Sequence, residues 1–327
     1  MKVLNDIRAF LRTETARFDT EMRSSLSSDS LLLQQSVEHF LAKDGKRIRP
    51  LLVMLAARTV ADDIAQSTIH AAVSLELLHS ASLIHDDVID DTFERRGRPS
   101  MNAMFNNKVS VLVGDFFLAA SLRQAVETYH FPILTAISNL SRLLTVGEIK
   151  QLSFARGELL SELDYYEVID KKTASLFMTC LKVGALSVDA PALMVDALAE
   201  FGSLMGRCFQ IRDDIFDYFE DPQIGKPTGN DIREGKITLP LLHAISAAHD
   251  DADNREQALT ILKAKDYTTE NIHFLIDFAK RNGGIEYAES QMHLFVHEAI
   301  ELLHVLPSSD AKRLLIDCLK FIVKRDY

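Results

Sequence analysis

Asp86-Asp87-Val88-Ile89-Asp90 and Asp213-Asp214-Ile215-Phe216-Asp217 repeat one acidic pattern at two distant points of the chain, each after an apolar run of helical character. Leu83-Ile84-His85 leads into the first and Cys208-Phe209-Gln210-Ile211 into the second. On a helix, residues three or four apart share a face, so each cluster projects its carboxylates in one direction. Such a set repels itself, and at a helix C-terminus the macrodipole disfavours it further. Charges that follow apolar residues on the same helix are costly to bury without partners. Asp62-Asp63 and Asp250-Asp251 have the setting of solvated loop or helix-end acids, and one cluster alone would read as surface charge. Its repetition predicts cation sites instead. Hard oxygen ligands suit Mg²⁺, which takes one or two carboxylates and completes its shell with water and substrate phosphates. Two facing clusters would clamp a diphosphate through several Mg²⁺ ions.

The rest of the chain predicts helices. Hydrophobic residues make up 47% of the 327, against 13 Gly and 8 Pro, so chain breakers are scarce. A buried helix is expected from Pro50, at its first helical position, to about Val60. Ile69 to Asp91 repeats Ile69, Val73, Leu77 and Ser80/Ala81 at helical spacing, so the first cluster ends a helix. Further helical runs cover 109–126, 133–154, 165–183 and 192–218, the last ending in the second cluster. Residues 221–236 read as a loop, and helices return from Thr238, broken at Gly283-Gly284 and Pro307. No linker divides the chain, which predicts one domain over 1–327.

A formal net charge of −11 argues against a nucleic-acid binder and against strong attraction to an anionic membrane. Cys180, Cys208 and Cys318 are too far apart for a zinc ribbon or a redox CxxC pair. The first residues lack the apolar core of a secretory signal, and no stretch reads as about 18 uncharged apolar residues of a membrane span. A soluble, cytoplasmic protein is expected.

A diphosphate site also needs cations from the chain. Gly45-Lys46-Arg47-Ile48-Arg49-Pro50 sets three of them before a buried helix, whose first amides also favour an anion. Arg95-Arg96-Gly97 follows the first cluster, His79 and His85 precede it, and Lys171-Lys172-Thr173 opens another apolar run. Lys226 and Lys236 lie in the loop after the second cluster. Singly these are ordinary surface or core residues. Only together, beside two acidic clusters read as cation sites, do they point to a bound diphosphate.

These segments, with Glu76 to Asp91, Val113-Gly114-Asp115-Phe116, Gly147-Glu148-Ile149 to Gln151, Lys172-Thr173-Ala174, Phe209 to Asp214, Gly225-Lys226 to Asp231 and Glu234-Gly235-Lys236 to Pro240, occur in family order over nearly the whole chain. In them the chain resembles the trans-isoprenyl diphosphate synthases, and among these the long-chain polyprenyl type. The resemblance implies a single all-α helical bundle around a deep apolar cavity, in a homodimer. It implies that Asp86, Asp87, Asp90, Asp213, Asp214 and Asp217 hold Mg²⁺ against an allylic diphosphate that Arg95, Lys172, Lys226 and Lys236 also contact. Lys46, Arg49, His79 and Arg96 would bind the diphosphate of isopentenyl diphosphate, and Lys172, Thr173 and Gln210 would set dipoles near the carbocation. Asp44 departs from the glycine that many relatives carry before Gly45.

Product length follows from packing. Ala81 and Ser82, one turn before the first cluster, are small, whereas bulky residues there stop the tail early in the family; Phe116 and Phe117 could form a deeper floor. The expectation is an octaprenyl-type product for a quinone side chain, built from farnesyl diphosphate, with transient membrane contact for its release. An HD-type phosphohydrolase is prompted by His85-Asp86 but lacks convincingly spaced further histidines. A terpene cyclase would not need the isopentenyl-binding cations. A regulatory subunit would be expected to lose aspartates that are intact here.

Overall fold

Apolar residues at helical spacing and few chain breakers make the described residues almost entirely helical. The structure, a computed structural model, describes residues 2–42, 45, 47–95, 97–155, 161–219 and 228–324. Lys46, Arg96, Lys226 and Asp44 lie outside the described residues. In chain order the helices are α1 (Lys2–Phe10), α2 (Arg12–Ser25), α3 (Leu31–Leu41), α4 (Ile48–Arg58) and α5 (Gln66–Ile89). A two-residue hairpin, β1 (Glu94–Arg95) with antiparallel β2 (Arg98–Pro99), precedes α6 (Met101–Phe105), α7 (Asn107–Glu127), α8 (Phe131–Ala155) and α9 (Glu162–Ile169). A π-helical turn (Asp170–Ala174) joins α9 to α10 (Ser175–Leu186). There follow α11 (Ala192–Phe216), α12 (Asn230–Arg233), α13 (Leu239–Ala247), α14 (Ala252–Ala264), α15 (Thr269–Arg281), α16 (Gly284–Leu302) and α17 (Asp310–Lys324).

The expected helices before both aspartate clusters are present, as α5 and α11. Three local expectations change. Pro50 is the third residue of α4, within the first turn, where its missing N–H costs no helical hydrogen bond. The run expected over 165–183 contains the π turn, and the loop expected over 221–236 contains α12. Neither follows from periodicity, because each depends on bonds to distant parts of the chain.

Two compact units divide the chain. The first comprises Met1–Ser141, Thr179–Ala199 and His304–Asp317. Its α5 and α7 are the most extensively packed pair. Close approach is licensed by Gly114, where a Cβ would lie 2.2 Å from His85 Nε2. Lower down, the buried Ser74 and Ser121 each donate a 2.8 Å hydrogen bond to the other's carbonyl. Among the described residues α7 is the helix long and apolar enough to cross a membrane by length and composition. Its buried Val113, Phe117, Ala120 and Gln124 belong to a core helix.

The second unit comprises Arg142–Met178, Glu200–Leu303 and Cys318–Tyr327. Here α13 packs on α15 and α16. The start of α9 is fixed by a capping box: Asp164 N donates to Ser161 Oγ at 3.2 Å, and Ser161 N donates to the Asp164 carboxylate at 3.0 Å.

Candidate functional site

In the first unit, α5 carries Glu76, His79, Ala81, Ser82, Asp86 and Asp87, and Asp90 caps its C-terminus. Asp91 takes a left-handed conformation, φ 47°, and turns the chain into the β1–β2 hairpin. The hairpin returns Arg95 to the helix end, where its Nε donates to Asp87 Oδ1 at 2.7 Å. Asp87 is only 3% exposed, so a guanidinium compensates its burial. Asn102 Nδ2 and Thr92 N both donate to the Asp87 carbonyl, at 3.0 and 2.9 Å, which locks the turn. Asp86 is half-buried and Asp90 exposed.

A cavity of about 70 Å³ beside this helix end is lined by Arg49, Glu76, His79, Asp87 and Arg95, with Phe40 and Met101 among its apolar walls. Arg49, His79 and Arg95, drawn from three separate sequence segments, thus share one cavity. Arg95, expected with the allylic set, lines this cavity together with Asp87, Arg49 and His79. Of the residues expected to set product length, Ala81 is buried and Ser82 half-buried, its hydroxyl donating to the His79 carbonyl at 2.9 Å. Phe117 is fully buried, edge-on to Phe40 at 5.1 Å, and Phe116 packs edge-on to Phe117 at 6.4 Å.

In the second unit, Asp213 and Asp214 lie in the last turn of α11 and Asp217 just beyond it. Asp214 is 2% exposed and both its oxygens are engaged: Tyr165 Oη donates to one at 2.6 Å and Gln210 Nε2 to the other at 2.7 Å. The Thr173 hydroxyl donates to Gln210 Oε1 at 2.7 Å, completing a chain from the π turn to the aspartate. A π turn inserts a residue into the helical register and is frequent at functional sites. Lys172, the third residue of this one, reaches Glu148 and Gln151 on α8.

Asp217 binds backbone. Its two oxygens accept the N–H groups of Asn230 and Asp231, both at 2.9 Å, and its carbonyl accepts Gly229 N at 2.9 Å. The returning segment carries Asp231, whose carbonyl accepts Lys236 N at 2.8 Å. A cavity of about 150 Å³ is therefore lined by Gln151, Lys172, Thr173, Gln210, Asp214, Asp231 and Lys236, with Phe154, Val168 and Ile169 as apolar walls. Burial raises the pKa of Asp214 above the ordinary carboxylate value, and the charge of Asp231 adds to the shift. Asp231 is raised too, by burial first and then by Asp217.

Crowded, buried carboxylates that resist ionisation are a donor set suited to a hard cation. Among the described residues no three His, Cys, Asp or Glu side chains gather as a complete metal site. Mg²⁺ needs few protein ligands when phosphates supply the others, so the carboxylates at the two helix ends would suit it. Sequence reasoning singled out Lys172, Thr173, Gln210, Asp214 and Lys236, which share this cavity, but assigned no role to Tyr165, Glu148 or Asp231. A tyrosine in an apolar run reads as core, and nothing local marks which loop acid folds back.

A polyprenyl synthetase family model matches residues 30–278. The heptaprenyl diphosphate synthase component 2 of Geobacillus stearothermophilus is 35% identical over 99% of both chains. The geranylgeranyl pyrophosphate synthase structure from Bacteroides thetaiotaomicron is 40% identical, with a TM-score of 0.84 over 99% of this chain and 100% of that one. The polyprenyl synthase of Caulobacter crescentus CB15, solved with calcium and isoprenyl diphosphate, is 30% identical, with a TM-score of 0.88 over 98% of both chains. The chain belongs to the polyprenyl synthetase family, the trans-prenyltransferases that lengthen isoprenyl diphosphates.

Proposed function

We propose that the whole chain works as one synthase domain that condenses isopentenyl diphosphate repeatedly with an allylic primer, farnesyl diphosphate, to give a long all-trans product of octaprenyl type. The observation that carries the chemistry is the convergence of Lys172, Thr173, Gln210, Asp214, Asp231 and Lys236 on one cavity with apolar walls. Lys172 and Lys236 bind the allylic diphosphate with Lys226, and the apolar walls exclude water from the cation formed when the C–O bond breaks. The Gln210 carbonyl and Thr173 hydroxyl orient dipoles toward that cation. The isopentenyl double bond attacks it, a new C–C bond forms, and the released diphosphate takes the proton. Arg49 and His79, with Lys46 and Arg96, hold the isopentenyl diphosphate.

Mg²⁺ would be held by Asp86, Asp87 and Asp90 at the end of α5 and by Asp213, Asp214 and Asp217 at the end of α11, and would neutralise charge on the leaving diphosphate. The bonds from Arg95 to Asp87, from Tyr165 and Gln210 to Asp214, and from the Asn230 and Asp231 amides to Asp217 fix the orientation of those carboxylates. The chain acts in the cytoplasm as a homodimer, and its product, bound for a quinone side chain, leaves through transient membrane contact. The exposed face of α7, with Val111, Leu112, Leu122 and Val126, supports dimerisation.

Small Ala81 and Ser82 support a long product. A four-unit product is the second reading, favoured by the 40% identity with the Bacteroides geranylgeranyl pyrophosphate synthase. Sizing the products from labelled isopentenyl diphosphate, farnesyl diphosphate and Mg²⁺ separates them. Ser82→Phe, at a half-buried position, is expected to shorten the product toward farnesyl or geranylgeranyl size with ionisation retained. An active Ser82→Phe enzyme with the wild-type product length would remove the tail from this helix face.

A further inference from the structure

We propose that Arg207 and Asp170 form a clamp that fixes the π turn, making Arg207 a positioning residue for allylic ionisation. The proposal rests on the reading of Lys172, Thr173 and Gln210 as the allylic site. Asp170 opens the π turn, and its carboxylate receives both arms of one guanidinium: Arg207 Nε at 2.7 Å and an Arg207 terminal nitrogen at 2.8 Å. A bidentate fork fixes orientation as well as distance. The guanidinium is itself seated against two rings, 5.7 Å from the Tyr166 centroid and 5.5 Å from that of Phe295.

The turn is also wedged between two helices. A Cβ at Gly206 on α11 would lie 2.5 Å from Ala174 Cα, and one at Gly147 on α8 would lie 3.1 Å from Lys172 N. Arg207 stands three residues before Gln210, so the two share a helix face. Gln210 accepts from Thr173 at 2.7 Å. The π turn is therefore tied to α11 twice, through Asp170 at its first residue and Thr173 at its fourth.

Neither Arg207 nor Asp170 lines the cavity that Lys172 and Thr173 line, so the clamp acts through its neighbours. Both partners are about one-third exposed, at 28% and 35%, and a pair so exposed contributes little to stability. Its consequence falls on geometry. Displacing a substrate-positioning group by about 1 Å costs about 10²-fold in rate.

The test compares Arg207→Met, Arg207→Lys and Lys172→Ala with the full-length wild-type enzyme. Arg207→Met keeps the stem against Tyr166 and Phe295 and loses the fork. Its expected result is a kcat lowered about 10²-fold, an unchanged KM for isopentenyl diphosphate and an unchanged melting temperature. Arg207→Lys, which restores a charge to the site, should recover part of the loss. Wild-type kcat in Arg207→Met while Lys172→Ala is crippled overturns the clamp alone. So does a kcat loss matched by a large fall in melting temperature, or one that Arg207→Lys does not relieve. Wild-type kcat in Lys172→Ala overturns the allylic-site reading, and the clamp falls with it.

Discussion

The two aspartate clusters share one sequence pattern and use it differently. At the end of α5 the middle carboxylate is buried against a cation of its own chain, Arg95, eight residues further on. At the end of α11 the corresponding Asp214 is buried against neutral donors, Tyr165 and Gln210, and a second acid, Asp231, raises its pKa further. The buried member of the first cluster is charge-compensated by the protein itself. The second is over-acidic, an arrangement that cations from outside would stabilise. A repeated motif is thus no guarantee of repeated electrostatics, because each carboxylate's energy is set by what the fold returns to it.

The largest effect should come from removing the more accessible acids. Asp86→Ala and Asp213→Ala are each expected to lower kcat on the order of 10²–10³-fold with helical circular dichroism unchanged. Full activity of either variant at saturating Mg²⁺ would break the pairing of the two clusters. Chelation should abolish wild-type turnover, and added Mg²⁺ should restore it.

Stability tests the contrast more directly. Arg95→Met leaves Asp87 buried without its guanidinium, a change that costs about 3–5 kcal/mol. Tyr165→Phe removes one neutral donor from Asp214 and should cost about 1–2 kcal/mol, since Gln210 still bonds that carboxyl. Denaturant unfolding of both variants without metal checks the order. Equal losses would erase the distinction between the clusters.

The smallest effect should carry the opposite sign. Asp231→Asn removes a like charge from Asp214, so the metal-free protein should melt a few degrees higher, the scale of about 1 kcal/mol. The same variant should gain less from Mg²⁺ and diphosphate added together. Thermal melts with and without those ligands decide it, and a lower melting temperature without metal would remove the like-charge account.

Much of this molecule was legible in its residues. Apolar spacing is a local property, so α5, α7, α8 and α11 could be drawn within a few residues, and both clusters fell at helix ends as expected. Lys172, Thr173 and Gln210 could be singled out only because the resemblance to the family is carried by short local motifs. Bonds that close over long stretches of sequence could not be read this way. The π turn depends on α8 and α11 pressing from either side, with Gly147 and Gly206 at the points of approach. Asp231 reaches the site because Asp217 accepts backbone amides thirteen and fourteen residues away. Tyr165 meets Asp214 across 49 residues. The sequence by itself determined the helices and the carboxylate pattern, since both follow from neighbours along the chain. Only the tertiary structure decided which aspartate oxygens are engaged and by what, because a buried carboxylate takes its partner from whichever segment packs against it.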